Sequence, residues 1–242
     1  MIPTDHFSLI ITMFFSQNFV KRNNIGYFTF GGCESLASIN IPTNVTSLGD
    51  LAFYGCGSLG EITIPDGIRS IGEGTFQYCE SLGGITFPKY LTNIGGSAFF
   101  QCFDLTSLTI PDSVTNIGDA AFWACLSLAN LTLPTNLASI GSSEFFECID
   151  LTSLTIPASV TNIGDGAFGE CNGLTTLTVP SSVVSLGSQA FAWCPLLSSV
   201  YFLGNAPTGD SSVLINDDNP TVYYWAGTSC KRRLKTVAGS RM

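Results

Sequence analysis

Apolar residues in this chain fall into columns, and neither a helical nor a simple alternating period describes them. Written in rows of 23, the sequence aligns without a gap from the first glycine column to the last strand. Proline recurs at Pro42, Pro65, Pro88, Pro111, Pro134, Pro157 and Pro180, and glycine at Gly26, Gly49, Gly72, Gly95, Gly118, Gly141, Gly164 and Gly187. Phe30, Phe53, Phe76, Phe99, Phe122, Phe145, Phe168 and Phe191 are each followed three residues later by Cys33, Cys56, Cys79, Cys102, Cys125, Cys148, Cys171 and Cys194. The unit reads L-x-x-[IL]-x-[apolar]-P-x-x-[VIL]-x-x-[IL]-G-x-x-A-F-x-x-C-x-x, and residues 105–111 and 151–157 are both LTSLTIP. Self-similarity at a fixed step is the signature of a stack of equivalent supersecondary units.

The local elements follow from the spacing inside one unit. Leu108, Thr109 and Ile110 alternate as a short strand does, with Leu108 and Ile110 inward and Thr109 outward. Pro111 ends that strand. Val114 and Ile117 then stand at a helical or 3-10-like spacing, Gly118 permits a turn, and Ala121, Phe122 and Cys125 return along the opposite side. One such coil buries too little to stand alone. Stacked coils place equivalent residues about 4.8 Å apart, so the strands pair in parallel and each apolar column becomes a ladder. The prediction is a solenoid with one parallel face of short strands starting at Leu36, Leu59, Leu82, Leu105, Leu128, Leu151, Leu174 and Leu197. Its opposite face is predicted as turns and short 3-10 or α segments.

The register also places the boundaries. Residues 1–24 precede the first half-repeat and read as an irregular N-terminal segment or cap, and residues 25–202 form the solenoid. Residues 203–230 lose the register and read as a C-terminal cap, while 231–242 read as a disordered basic tail. The apolar stretch 7–15, FSLIITMFF, is about half the length that a membrane-spanning helix needs. As a signal-peptide core it lacks a basic flank before it and an Ala-x-Ala-like site before Lys21 and Arg22, so no convincing signal peptide is read. Covering the open apolar end of a repeat stack is the preferred role.

The repeated L-x-x-[IL]-x-[IL]-P and IG-x-x-A-F-x-x-C motifs resemble the BspA-like, or Treponema pallidum type, leucine-rich repeats. The resemblance covers residues 25–202, and the closing segment around Phe202-Leu203-Gly204-Asn205-Ala206-Pro207 and Thr221-Val222-Tyr223-Tyr224 is similar to the end module of bacterial members. It departs after Tyr224, where Trp225-Ala226-Gly227-Thr228 stands in place of Leu-Pro-Gly-Thr. The resemblance implies a leucine-rich-repeat solenoid, a cell-surface or secreted location, protein or host-matrix partners, and no shared catalytic residues.

Composition narrows the chemistry. The chain has 242 residues, of which 45% are hydrophobic and only 11% charged, a balance suited to a large core under a neutral polar surface. Its formal net charge of -9 argues against nucleic-acid and anionic-membrane partners, and the cluster Lys231, Arg232, Arg233 and Lys235 reads as a solvated tail. The single histidine, His6, lies in the irregular N-terminal segment, which leaves no Ser–His or Cys–His pair in the repeats. Asp50, Glu73, Asp119 and Asp165 follow the glycine column, but Gly96, Ser142 and Ser188 interrupt the row, so solvated turn carboxylates are expected. Neighbouring ladder cysteines have parallel Cβ directions, whereas a disulfide needs Cβ atoms near about 3.8 Å and turned toward one another. They read as eight buried free thiols, with Cys230 unassigned; no closely spaced cysteine pair points to a metal, and no cofactor is expected.

Two surfaces remain as candidate contact sites. The outward strand column comprises Asn40, Thr63, Thr86, Thr109, Thr132, Thr155, Thr178 and Tyr201, next to Ser38, Glu61, Gly84, Ser107, Asn130, Ser153, Thr176 and Ser199. Threonine suits an exposed strand and pairs across rungs, so the column reads as plain sheet surface or as a binding face. On the return side Tyr54, Phe100, Trp123 and Phe146 share one position, with Phe103, Leu126 and Ile149 three residues on. These form either a protein-contact patch or side chains folded over neighbouring coils.

The columns also isolate Glu144. It occupies the position otherwise held by Ala52, Ala98, Ala121, Ala167 and Ala190, with Thr29 and Thr75 as the other exceptions. An unpaired carboxylate there is costly, so it either swings to solvent with Phe145 and Phe146 reshaped, which is favoured, or finds a hydrogen-bond partner. Taken together, the sequence points to a non-catalytic protein-interaction scaffold with an adhesin-like role. A self-assembling filament former is the alternative, and ice or polysaccharide binding through the threonine face a more remote one.

Overall fold

The computed structural model of the chain describes residues 23–215, 220–226 and 230–234. Each coil runs along three sides. The first carries seven of the eight predicted strands, β3 (Glu61–Thr63), β5 (Gly84–Thr86), β7 (Ser107–Thr109), β9 (Asn130–Thr132), β11 (Ser153–Thr155), β13 (Thr176–Val179) and β15 (Ser199–Phe202); the strand expected from Leu36 does not form, residues 36–42 running without regular structure. They pair in parallel and in step, Thr63 beside Thr86, Thr109 beside Thr132, and Thr155 beside Thr178 and then Tyr201. In β7 the central Leu108 is buried and Ser107 and Thr109 are exposed, which is the alternation expected of a strand with one wet face. The pairing divides this side into β3-β5, β7-β9 and a longer sheet that begins β11-β13-β15.

The second side differs from the sequence expectation. No helix is present among the described residues; where a helical or 3-10-like turn was expected at Val114 to Ile117, the chain makes a two-residue strand, β8 (Asn116–Ile117). Its equivalents are β1 (Asn24–Ile25), β2 (Ser47–Leu48), β4 (Ser70–Ile71), β6 (Asn93–Ile94), β10 (Ser139–Ile140), β12 (Asn162–Ile163) and β14 (Ser185–Leu186). Bonding between coils wins over the local spacing because every rung offers the same N–H and C=O groups to its neighbour. This side is grouped as β1-β2, β4-β6-β8 and β10-β12-β14.

The return side is built from turns in which alternate N–H groups point inward and onward. The Phe53 N–H donates to Thr75 O at 2.8 Å and that of Phe99 to Ala121 O at 2.7 Å, one coil ahead. Between them, Tyr54 N–H closes back on Leu51 O and Cys56 N–H on Phe53 O. This winding needs positive φ at the residues two before and two after each ladder phenylalanine, as at Ala120 (56°) and Ala124 (56°) around Phe122. Glycine fills only four of those positions, Gly32, Gly55, Gly74 and Gly166. The others accept a conformation that costs a non-glycine residue about 1 kcal/mol, over-determined here by stacking on both sides.

The core is a set of ladders. The eight phenylalanines stack nearly parallel, with centroids 5.0 Å apart for Phe30 and Phe53 and 5.6 Å for Phe168 and Phe191. All eight are buried, as are most of the leucine, isoleucine and alanine columns around them, Ile39, Ile85 and Leu131 being half-buried. Residues 203–215 follow the last full coil around: Thr208 bridges Ser185, and the Phe191 N–H donates to Val213 O at 3.0 Å. β16 (Thr221–Ala226) then adds a parallel rung beside β15, and β17 (Cys230–Leu234) closes the sheet antiparallel to it. β17 extends four residues past the 230 boundary drawn from sequence. The N-terminal assignments to residues 1–22, including the apolar stretch 7–15 and His6, lie outside the described residues.

Candidate functional surfaces

The strand column is displayed as the sequence suggests. Asn40, Thr63, Thr86, Thr109, Thr132, Thr155, Thr178 and Tyr201 are all exposed. No hydrogen bond within the protein engages the hydroxyls of Thr63, Thr86, Thr109, Thr132, Thr155 or Thr178 among the described residues, so their valences are turned to solvent. At its C-terminal end the column finishes in an aromatic pair, Tyr201 stacked on Tyr223 with centroids 4.7 Å apart. The side is also almost uncharged. Glu61 is the sole acidic or basic side chain in its two outward columns besides the phenol of Tyr201, and Arg69 and Lys89, the only basic residues between positions 25 and 202, both lie by the Tyr90 ring.

The second side carries another threonine column with a different fate. Thr46, Thr92, Thr115 and Thr161 are exposed too, yet each Oγ1 donates to a carbonyl of the preceding coil, at 3.2, 3.0, 3.4 and 3.2 Å. Beside them Asn116 Nδ2 donates to Asn93 Oδ1 at 2.7 Å, and Asn93 Nδ2 to Ser70 Oγ at 3.0 Å. Three of the row carboxylates expected as solvated do similar work. Asp50, Asp119 and Asp165 are exposed, and each accepts the N–H of the residue one coil ahead, Glu73, Ser142 and Ser188. Asp112 accepts both the N–H and the hydroxyl of Thr135, which hold its carboxyl below the ordinary value.

The return-side aromatics meet one another. Tyr54, Phe100, Phe103, Trp123, Leu126, Phe146 and Ile149 are all half-buried. A second ladder runs Phe28, Tyr54, Tyr78, Phe100, Trp123, Phe146, with centroids 5.8, 5.3, 5.6, 5.6 and 4.9 Å apart. Tyr78 escapes a column search because it sits one residue late, at a positive-φ position. Gly169 ends the ladder, leaving room for the Phe146 ring, whose nearest atom would lie 2.6 Å from any Cβ there. Trp123 Nε1 donates to Glu147 Oε2 at 3.0 Å.

Inside, seven cysteines repeat one contact: each Sγ–H, from Cys56 to Phe30 O at 3.2 Å through Cys194 to Phe168 O at 3.3 Å, donates to the preceding coil's phenylalanine carbonyl. Burial pushes the Cys125 thiol up to about 12 and those of Cys102, Cys148 and Cys171 well above their ordinary value. Thiols held so firmly neutral make poor nucleophiles and poor metal ligands. Cys33, in the first described half-coil, is only half-buried. No cluster of three or more metal-binding side chains occurs among the described residues.

Glu144 corrects the favoured expectation. Its side chain is fully buried instead of swung to solvent, and the turn keeps its course, with Phe145 in the inner ladder. Oε2 accepts the Gly141 N–H at 2.6 Å, while Oε1 is buried with no partner among the described residues.

A stack of 23-residue coils with one sheet side, an inner phenylalanine ladder and a cysteine ladder is the frame that these contacts define. The BspA-type leucine-rich-repeat region model matches residues 11–129 and 117–220, with six copies. The chain belongs to this family. A leucine-rich repeat protein from Bacteroides ovatus ATCC 8483 is 32% identical with a TM-score of 0.72, the match covering 83% of this chain and 58% of that one. The chain thus spans little more than half of that relative's length. A leucine-rich repeat protein from T. pallidum is 31% identical with a TM-score of 0.58, covering 72% of this chain and 71% of that one. No curated protein sequence matches the chain. The BspA-type repeat fold is typically non-catalytic, and among the described residues no helix is long and apolar enough to cross a membrane.

Proposed function

We propose that this protein is a non-catalytic protein-interaction scaffold whose strand side, centred on Thr109, Thr132 and Thr155, meets the partner. The observation that carries the reading is the unused hydroxyl column itself. Six threonines are exposed in register on a nearly neutral side, and none has a hydrogen bond within the protein among the described residues. Outward polar groups on the second side are largely engaged by neighbouring coils, and the return-side rings pack against one another. A repeat stack also presents an extended surface, which suits a macromolecular partner better than a small molecule. The adhesin-like role at a cell surface or in secretion rests on family membership.

Two measurements on the same purified chain test this. Light scattering with negative-stain microscopy across a dilution series is expected to show a particle of constant mass. Fibres that grow with concentration would transfer support to self-assembly. Binding to panels of extracellular-matrix proteins, glycans and ice is expected to yield a protein partner alone. Binding confined to glycans or ice would replace the protein-partner reading.

A further inference from the structure

The alanine column governs how tightly successive coils join on the second side. Where alanine is present, the glycine three residues earlier bonds the preceding coil: Gly95 N–H to Ile71 O, Gly118 N–H to Ile94 O and Gly164 N–H to Ile140 O, each at 2.9 Å. The alanine N–H also closes on that glycine's carbonyl, as Ala121 does on Gly118 at 3.3 Å. Thr75 and Glu144 break the column, and the second-side sheet breaks at both places, between β2 and β4 and between β8 and β10. Thr75 satisfies itself, donating from Oγ1 to Gly72 O at 3.0 Å. Glu144 takes the Gly141 N–H, the group equivalent to the one Gly118 and Gly164 give to a neighbouring coil. The strand side is interrupted next to the same coil, between β9 and β11. Each junction of the Glu144 coil is thus broken on one side, while β7-β9, β10-β12 and the return-side bonds of Phe122 N–H to Glu144 O and Phe145 N–H to Ala167 O continue through it.

We propose that Glu144 makes this turn a protonation-controlled switch. The neutral acid stays seated in the alanine slot and holds Gly141; the ionised carboxylate leaves the slot and opens the turn over residues 139–146, while the return-side bonds and the phenylalanine ladder keep the coils stacked. The inference stands apart from the choice of binding face.

The surroundings favour the neutral form. Full burial is the largest influence, and it pushes the carboxyl up to about 8, with the Asp119 carboxylate adding to the rise and the Gly141 N–H opposing it. From the preceding coil the facing ionisable group is Asp119, whose Oδ1 accepts the Ser142 N–H. From the following coil come Gly164 and Ala167, with Asp165 directed to Ser188. In its own coil Glu147 is bonded to Trp123. No basic side chain occurs between Lys89 and Lys231, so nothing in these coils rewards the charge.

The direction of the pH effect follows. The seated form holds a proton that an open form, with an ordinary carboxyl value of 4.5, has released. Seating is complete below that value and weakens as pH rises toward about 8, by about tenfold per pH unit at most, then levels off.

Hydrogen exchange of the full chain, read by mass spectrometry and corrected for intrinsic rates, tests the switch. Peptides spanning 139–146 are expected to lose protection by up to about tenfold per pH unit between about pH 5 and about pH 8, while peptides spanning 162–169 stay flat. Glu144→Gln and Glu144→Ala should both abolish the slope, and the alanine variant should gain protection at Gly141. If the glutamine variant fails to fold, the alanine variant decides alone. A flat wild-type response, or a slope that survives in the alanine variant, would overturn the proposal.

Discussion

Exposed threonines stand on two sides of this solenoid, six in one column and four in another that Arg69, Ala138 and Val184 interrupt, yet they do opposite things. On the second side each hydroxyl shares a carbonyl of the preceding coil with its own backbone N–H, as Thr92 does at Arg69 O and Thr115 at Thr92 O. On the strand side the hydroxyls have no hydrogen bond within the protein among the described residues. The difference lies in backbone direction. The second-side threonines each reach a carbonyl one coil back, whereas a side chain standing out from a strand meets only its equivalent on the next rung. Exposure alone therefore does not mark a contact surface here; exposure together with unspent hydrogen-bonding capacity does.

Both columns depend on the inner ladder, and its loss should have the largest effect. Phe122→Ala removes a buried ring stacked between Phe99 and Phe145 and should cost about 3–5 kcal/mol in urea unfolding. Next comes the bonded column. Replacing Thr46, Thr92, Thr115 and Thr161 together by valine should cost about 2 kcal/mol, at about 0.5 kcal/mol for each lost hydroxyl bond, because each carbonyl keeps its backbone partner. Restoring the alanine column acts in the other direction. Glu144→Ala should stabilise by about 0.5–2 kcal/mol near pH 8, and a clearly lower melting temperature would show that the seated carboxyl is a net support. Smallest of all, valine at Thr109, Thr132 and Thr155 should change stability by less than about 0.5 kcal/mol, since no intramolecular bond is lost and valine suits a strand. A cost equal to that of the bonded column would erase the distinction between them.

Much of this was legible in the sequence because repetition turns single residues into columns. The strand rungs, the phenylalanine and cysteine ladders and the outward threonines follow from the 23-residue step and a period-2 alternation within each rung. The second sheet was not legible. Val114 and Ile117 stand three apart, which reads as a helical turn, and only stacking shows that Asn116 and Ile117 pair with Asn93 and Ile94. The positive-φ positions were hidden for a related reason: Gly32 and Gly55 hint at them, but Tyr78, Gln101, Ala124 and Glu147 occupy the same place in later coils. Glu144 was legible as an exception but not in its outcome. The sequence weighs the cost of a buried charge, whereas the fold supplies one N–H donor and a buried site that pushes the carboxyl up to about 8.

The contrast between the columns is tested most directly by giving each the same insult. Lysine at Thr109, Thr132 and Thr155 in one variant, and at Thr92, Thr115 and Thr161 in another, places three charges on one side or the other of the middle coils. Affinity for the protein partner found in the panel is then measured for both, alongside thermal unfolding. The strand-side variant should melt within a few degrees of the parent and lose at least about tenfold in affinity, the scale of about 1.4 kcal/mol. The second-side variant should melt lower and bind as the parent does. Undiminished binding by the strand-side variant, with loss in the other, would contradict the assignment of the binding face.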